Sequence, residues 1–134
     1  MSEDGSNGNG NGKKRQPGKK RVCIDFDGVI HRYSNGYQDG TVYDIPMPGV
    51  KEFLEGLHDQ GYDIYVHTSR PMDTYDYNVG INIIKEYMDK HGLPYDYVTA
   101  MKVPAIAYID DRAINFNGNW NTVCDELKRL EVGW

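Results

Sequence analysis

The chain reads as an α/β protein: a doubly wound parallel sheet with helices over both faces. Short, nearly all-apolar segments alternate with amphipathic helical stretches, which is the pattern of strands buried on both sides. The chemistry-bearing polar residues fall where those apolar segments end, which is where ligands bind in such sheets. Glycines stand where the helical patterns should stop.

Val22-Cys23-Ile24-Asp25-Phe26 follows a basic lead-in and halts at Asp27-Gly28, so it reads as a buried strand ending in a turn. Residues 31–44 are polar, aromatic and glycine-rich, an irregular loop or small hairpin closed by Pro46 and Pro48. Pro48-Gly49 opens a helix whose Val50, Phe53, Leu54 and Leu57 form one apolar stripe, and Gly61 ends it. Tyr62-Asp63-Ile64-Tyr65-Val66-His67 is the second strand, running into Thr68-Ser69-Arg70-Pro71. A second helix is expected over residues 77–90, with Ile83, Ile84, Tyr87 and Met88 inward and Gly92 as its stop. Tyr97-Val98-Thr99 is a weak third strand, and Ala105-Ile106-Ala107-Tyr108-Ile109 a fourth that ends at Asp110-Asp111. A last helix starts near Trp120, with Trp120, Val123, Cys124, Leu127 and Leu130 as the face expected to be buried.

The length of 134 residues suits one domain. Residues 1–18 are Gly, Asn, Ser and Lys with almost nothing apolar, so they read as a disordered tail ahead of a folded domain at 19–134. Charge divides the chain at the same place. Six of its 15 basic and two of its 20 acidic residues lie before Val22, leaving nine and eighteen in the body. The body is therefore acidic and repels long polyanions, while Lys13-Lys14-Arg15 and Lys19-Lys20-Arg21 attract them. Cys23 and Cys124 form no CxxC pair and read as small buried hydrophobes of a reducing compartment. No apolar run approaches the roughly 18 residues of a membrane span, and no signal peptide is evident, so a soluble cytoplasmic protein is expected.

Asp25, Asp27, Asp110 and Asp111 would converge at one sheet edge and repel one another unless a cation joined them. Oxygen-only donors without a His/Cys cluster favour Mg²⁺ or Ca²⁺ over zinc, and Mg²⁺ completed by water and a substrate phosphate is the common arrangement. Asp25 can then serve as a nucleophile toward phosphorus, giving an aspartyl-phosphate. Asp27 can protonate the leaving oxygen and later deprotonate water. Thr68 offers a hydroxyl to a phosphate oxygen, Lys102 a positive charge, and Gly28 lets main-chain N–H groups approach the phosphate.

Residues 22–30, centred on Asp25-Phe26-Asp27-Gly28, resemble the first motif of the haloacid dehalogenase (HAD) superfamily. Residues 65–70 resemble its second motif through Thr68, Lys102 its third, and Tyr108-Ile109-Asp110-Asp111-Arg112 its fourth in the double-aspartate form. The resemblance covers nearly all of the body. It implies a Mg²⁺-dependent phosphomonoester hydrolase. The metal would be held by the Asp25 carboxylate, the Asp27 main-chain carbonyl and Asp111, with Asp110 in support. Phe26, Gly28, Thr68, Ser69, Arg70 and Lys102 would contact the phosphate.

About twenty residues separate Ile30 from the first helix, and one helix separates Thr68 from the third strand; neither gap holds a cap domain. The chain thus resembles the small capless members, including phage-like hydrolases and the phosphatase half of bacteriophage polynucleotide kinase. A phosphorylated small molecule or nucleotide is the expected substrate. A nucleic-acid 3′ end is the alternative, and a HAD-like interaction module without activity is another. A two-component receiver domain shares the residue types but not their order, since its acidic pair follows the first strand.

Overall fold

The computed structural model describes residues 20–70 and 77–132. The tail expected at 1–18 lies outside these. Four strands and three helices follow in the order β1 (Arg21–Asp25), α1 (Val50–Asp59), β2 (Asp63–His67), α2 (Tyr77–Lys90), β3 (Tyr97–Thr99), β4 (Ala107–Ile109) and α3 (Trp120–Val132). The α/β reading holds. Among the described residues, the strands form one parallel sheet in the order β3-β2-β1-β4. The chain builds outward from β1 to β2 and β3, then returns to place β4 on the other side of β1. At that reversal the carboxyl ends of β1 and β4, where Asp25 and Asp110 stand, lie side by side.

Alternation within the strands decides what is buried. Val22, Ile24, Ile64, Val66 and Val98 point to one face, where they meet Val50 and Leu54 of α1 and Ile81, Ile84, Tyr87 and Met88 of α2. Phe26, Ile30 and Leu93 complete this core. Both helices stop at a glycine in the left-handed region, Gly61 and Gly92. Beyond each, the chain is pinned by an N–H that reaches back five residues: Tyr62 to Leu57 O and Leu93 to Met88 O. Phe53, expected on the α1 stripe, stays 46% exposed, while Val50 and Leu54 are buried and Leu57 packs against the core in part.

The helices packed on the core, α1 and α2, cover one face of the sheet. Successive right-handed crossovers from β1 to β2 to β3 place α1 and α2 on the same face. The passage from β3 to β4 contains no helix. α3 follows β4, and among the described residues no further strand closes its crossover and pins it down. Trp120 is accordingly 71% and Leu127 55% exposed, so the expected buried face of this helix is not buried. Cys124 is exposed with it, whereas Cys23 is buried as expected. The second sheet face carries Cys23, Tyr65, Tyr97 and Tyr108, which lie side by side in the strand register. No described helix is long and apolar enough to cross a membrane.

Candidate active site

Asp25 ends β1, and Asp110 and Asp111 follow β4, so strand pairing brings all three to one place. Their carboxylate oxygens lie within 4.8 Å of one another. Burial pushes the Asp25 carboxyl up to about 8, reinforced by the charges of Asp110 and Asp111, a hydrogen bond with Asp111 and the charge of Asp27. At an effective dielectric near 20, two unit charges about 4 Å apart repel by on the order of 4 kcal/mol. Three converging carboxylates are a donor set suited to a hard divalent cation.

Gly28 explains how Asp111 fits. A Cβ at Gly28 would lie 2.3 Å from Asp111 Oδ2, so the carboxylate packs directly against the glycine. The sequence reading gave Gly28 a different task, opening N–H groups to phosphate. Its own N–H instead donates to His31 O at 2.9 Å. Phe26 is also removed from phosphate contact. Its ring is fully buried in the core, and its N–H donates to His67 O at 2.9 Å.

The Asp27 side chain does not join the acidic cluster. Arg70 grips it with two parallel bonds, Nε to Oδ2 and Nη2 to Oδ1, both 2.9 Å, and His31 Nδ1 lies 2.8 Å from Oδ1. Burial raises the Asp27 carboxyl, but the hydrogen bonds from His31 and Arg70 and the Arg70 charge outweigh it and hold it below the usual carboxylate range. Arg70 also donates through Nη1 to Gly40 O at 2.7 Å, so it ties the 31–44 loop to Asp27. Thr68 is buried at the β2 end. Its Oγ1 accepts the Arg70 N–H at 3.0 Å, which fixes the turn carrying Arg70 and leaves its own O–H proton as a donor. Ser69 is exposed beside it.

Lys102 holds its ammonium 5.2 Å from the centroid of the Tyr108 ring. It lines a cleft of about 860 Å³ together with Asp25, Asp110, His67, Ile106 and Tyr108. A volume of this order suits a small ligand. The fold therefore brings Asp25, Asp110 and Lys102 around one cleft, with Asp111 joined to it through the carboxylate cluster, and sets Asp27 with Arg70 beside the 31–44 loop.

His31, bonded to Asp27 through Nδ1, is fully buried. Its spacing four residues after Asp27 in a turn was the available signal. Asp44, whose main-chain nitrogen holds His31, carries no local signal, and the inward place read for Tyr87 does not reveal its bond to Asp44.

The raised Asp25 carboxyl gives a directional test. Between the unfolded value near 4 and about 8, the native state binds the extra proton, so stability falls as pH rises through that window. The lowered Asp27 carboxyl acts elsewhere: its contribution is present above about pH 4 and is lost as pH falls through its depressed folded value. In EDTA the melting temperature is expected to fall from pH 5 to pH 8, and Mg²⁺ should restore it chiefly at pH 8. A flat profile, with or without Mg²⁺, would show that the three carboxylates are not coupled.

No family model matches the chain, and no curated protein matches it. It is similar to a solved structure of a target protein from Vibrio cholerae, at 28% identity over 82% of this chain and 98% of that one, with a TM-score of 0.49. It is also similar to the solved structure of a conserved protein from Bacteroides thetaiotaomicron, at 20% identity over 81% of this chain and 89% of that one, again with a TM-score of 0.49.

Proposed function

We propose that the chain is a Mg²⁺-dependent phosphomonoester hydrolase of the HAD type, doubly wound and without a cap, working through an aspartyl-phosphate on Asp25. The observation that carries this reading is the meeting of Asp25, Asp110 and Asp111 within 4.8 Å at the reversal of strand order. Asp25, Asp111 and the Asp27 main-chain carbonyl are the groups that would hold Mg²⁺, with Asp110 in support. The cation supplies charge neutralisation for the phosphate and the carboxylates.

The remaining steps belong to the chain itself. Asp25 attacks phosphorus, and Asp27 gives its proton to the departing oxygen. Asp27 then takes a proton from the water that cleaves the acyl phosphate. As found, Asp27 is held ionised by Arg70. A bound phosphate competes for the same guanidinium, and the loss of that partner raises the Asp27 carboxyl toward the protonated form an acid requires. Thr68 and Lys102 complete the set of donors to the phosphoryl oxygens. The substrate class that suits the cleft is a phosphorylated small molecule or nucleotide.

The experiment is turnover of a panel of phosphate esters in Mg²⁺ and in EDTA, with Asp27→Asn beside the wild type. Turnover should require Mg²⁺. Asp27→Asn should slow the first step of alkyl esters by about 10²-fold or more and of aryl esters with good leaving groups far less. It should also accumulate phospho-enzyme, because no base then activates water. Full activity in chelator would end the metal reading, and equal first-step losses for both ester types would end the assignment of Asp27.

A further inference from the structure

His31 joins two parts of the molecule through its two ring nitrogens. Nδ1 lies 2.8 Å from Asp27 Oδ1, and Nε2 lies 3.0 Å from the Asp44 main-chain nitrogen. An amide N–H only donates, so Nε2 accepts and carries no proton. The neutral ring therefore has its proton on Nδ1 and donates it to Asp27. The ring is fully buried, with Phe26, Tyr33, Tyr43 and Tyr87 packed around it at centroid distances of 5.3 to 5.6 Å. Tyr87 O–H donates to Asp44 O at 3.0 Å, so both main-chain groups of Asp44 are held from the core. The imidazole cannot turn without breaking both of its bonds.

The consequence falls on Asp27. Among the described residues, Oδ1 accepts from His31 and from Arg70 Nη2, and Oδ2 accepts from Arg70 Nε. An oxygen with two donors has its lone-pair directions filled. When a phosphate draws Arg70 away, His31 is the partner that stays.

We infer that His31 is a positioning residue for the hydrolysis proposed above. As the neutral Nδ1–H tautomer it anchors Oδ1 of Asp27 and presents Oδ2 as the oxygen that exchanges the proton. Oδ2–H gives its proton to the leaving oxygen as the P–O bond breaks. Oδ2 then takes a proton from water as the water oxygen bonds to phosphorus and releases Asp25, which returns Asp27 to its protonated state. His31 keeps its own proton throughout. Through Nε2 the same ring makes this geometry depend on the placement of residues 31–44. The inference rests on the phosphatase reading for its kinetics and on the structure alone for its tautomer.

Three variants test it. His31→Phe keeps an aromatic ring and removes both hydrogen bonds. It should lower kcat on an alkyl phosphate by about 10- to 100-fold and on p-nitrophenyl phosphate by a few-fold at most. His31→Asn places an amide N–H near the position of Nδ1 and should recover most of the alkyl rate, whereas His31→Gln reaches toward the Nε2 position and should not. Equal losses on both esters, or no rescue by asparagine, would reduce His31 to a packing residue. If His31→Phe fails to fold, the asparagine–glutamine pair carries the same comparison. Nitrogen-15 shifts of the wild-type ring read the tautomer without turnover. A proton on Nδ1, with a signal that moves in Asp27→Asn, is expected, and a proton on Nε2 overturns the inference. Inactivity of the wild type on every ester, with the proton found on Nδ1, would remove the phosphatase reading while supporting the His31–Asp27 arrangement.

Discussion

Asp25→Asn is expected to lower turnover of any phosphate ester by about 10³-fold or more, and to raise the melting temperature of the metal-free protein at pH 8. The two effects share one cause. Asparagine matches the volume of aspartate but is no nucleophile and a poor metal ligand, and residues that act as a unit lose most of their catalysis together. At the same time it removes the buried charge that Asp110 and Asp111 make unfavourable. The stabilisation should vanish at pH 5, where the wild-type carboxyl is already protonated. Turnover and thermal melts at both pH values check this. Near-wild-type turnover would move the nucleophile elsewhere, and an unchanged melting temperature at pH 8 would mean that Asp25 is not under electrostatic strain.

Gly28→Ala should be nearly as damaging, although it alters no functional group. The new Cβ would meet Asp111 Oδ2 at 2.3 Å and Cγ at 2.8 Å, so the Asp111 carboxylate must rotate out of the cluster. Gly28 also sits at φ +88, a conformation that strains a side-chain-bearing residue by about 1–2 kcal/mol. The expected result is at least a 10-fold rise in the Mg²⁺ concentration for half-maximal activity and about a 10²-fold loss in kcat/KM. Gly36→Ala is the control. Gly36 too has a positive φ, +64, but a Cβ there meets nothing within 4 Å. It should lower stability comparably and leave Mg²⁺ dependence unchanged. If the two variants behave alike, backbone strain and not Asp111 displacement explains the loss.

The strands and helices were legible because their signals are local. The apolar runs of β1 and β2 and the paired glycine stops of α1 and α2 depend on residues within one turn or one strand. The acidic cluster was legible for a related reason. Asp25 and Asp110-Asp111 each end an apolar run, and parallel pairing of such runs places their ends together whatever else the chain does. The direction of the Asp27 side chain was not legible. Its partner Arg70 lies 43 residues away, and its partner His31 is defined by a buried ring whose second nitrogen is held by Asp44. Nothing in the sequence ranks these bonds above a place for Asp27 beside Asp25.

Local pattern was thus enough for the parallel α/β class, for the edge at which the chemistry-bearing residues gather, and for the carboxylates that meet there. Tertiary structure alone decided three things. Asp27 faces Arg70 and His31, Gly28 packs against the Asp111 carboxylate, and α3 leaves its apolar stripe exposed. The stripe shows the physical reason most plainly. A hydrophobic periodicity of 3.6 residues states that a helix has an apolar side, but whether that side is covered depends on a crossover that returns to the sheet. For α3 the described chain contains no such return, so its amphipathic pattern and its burial part company.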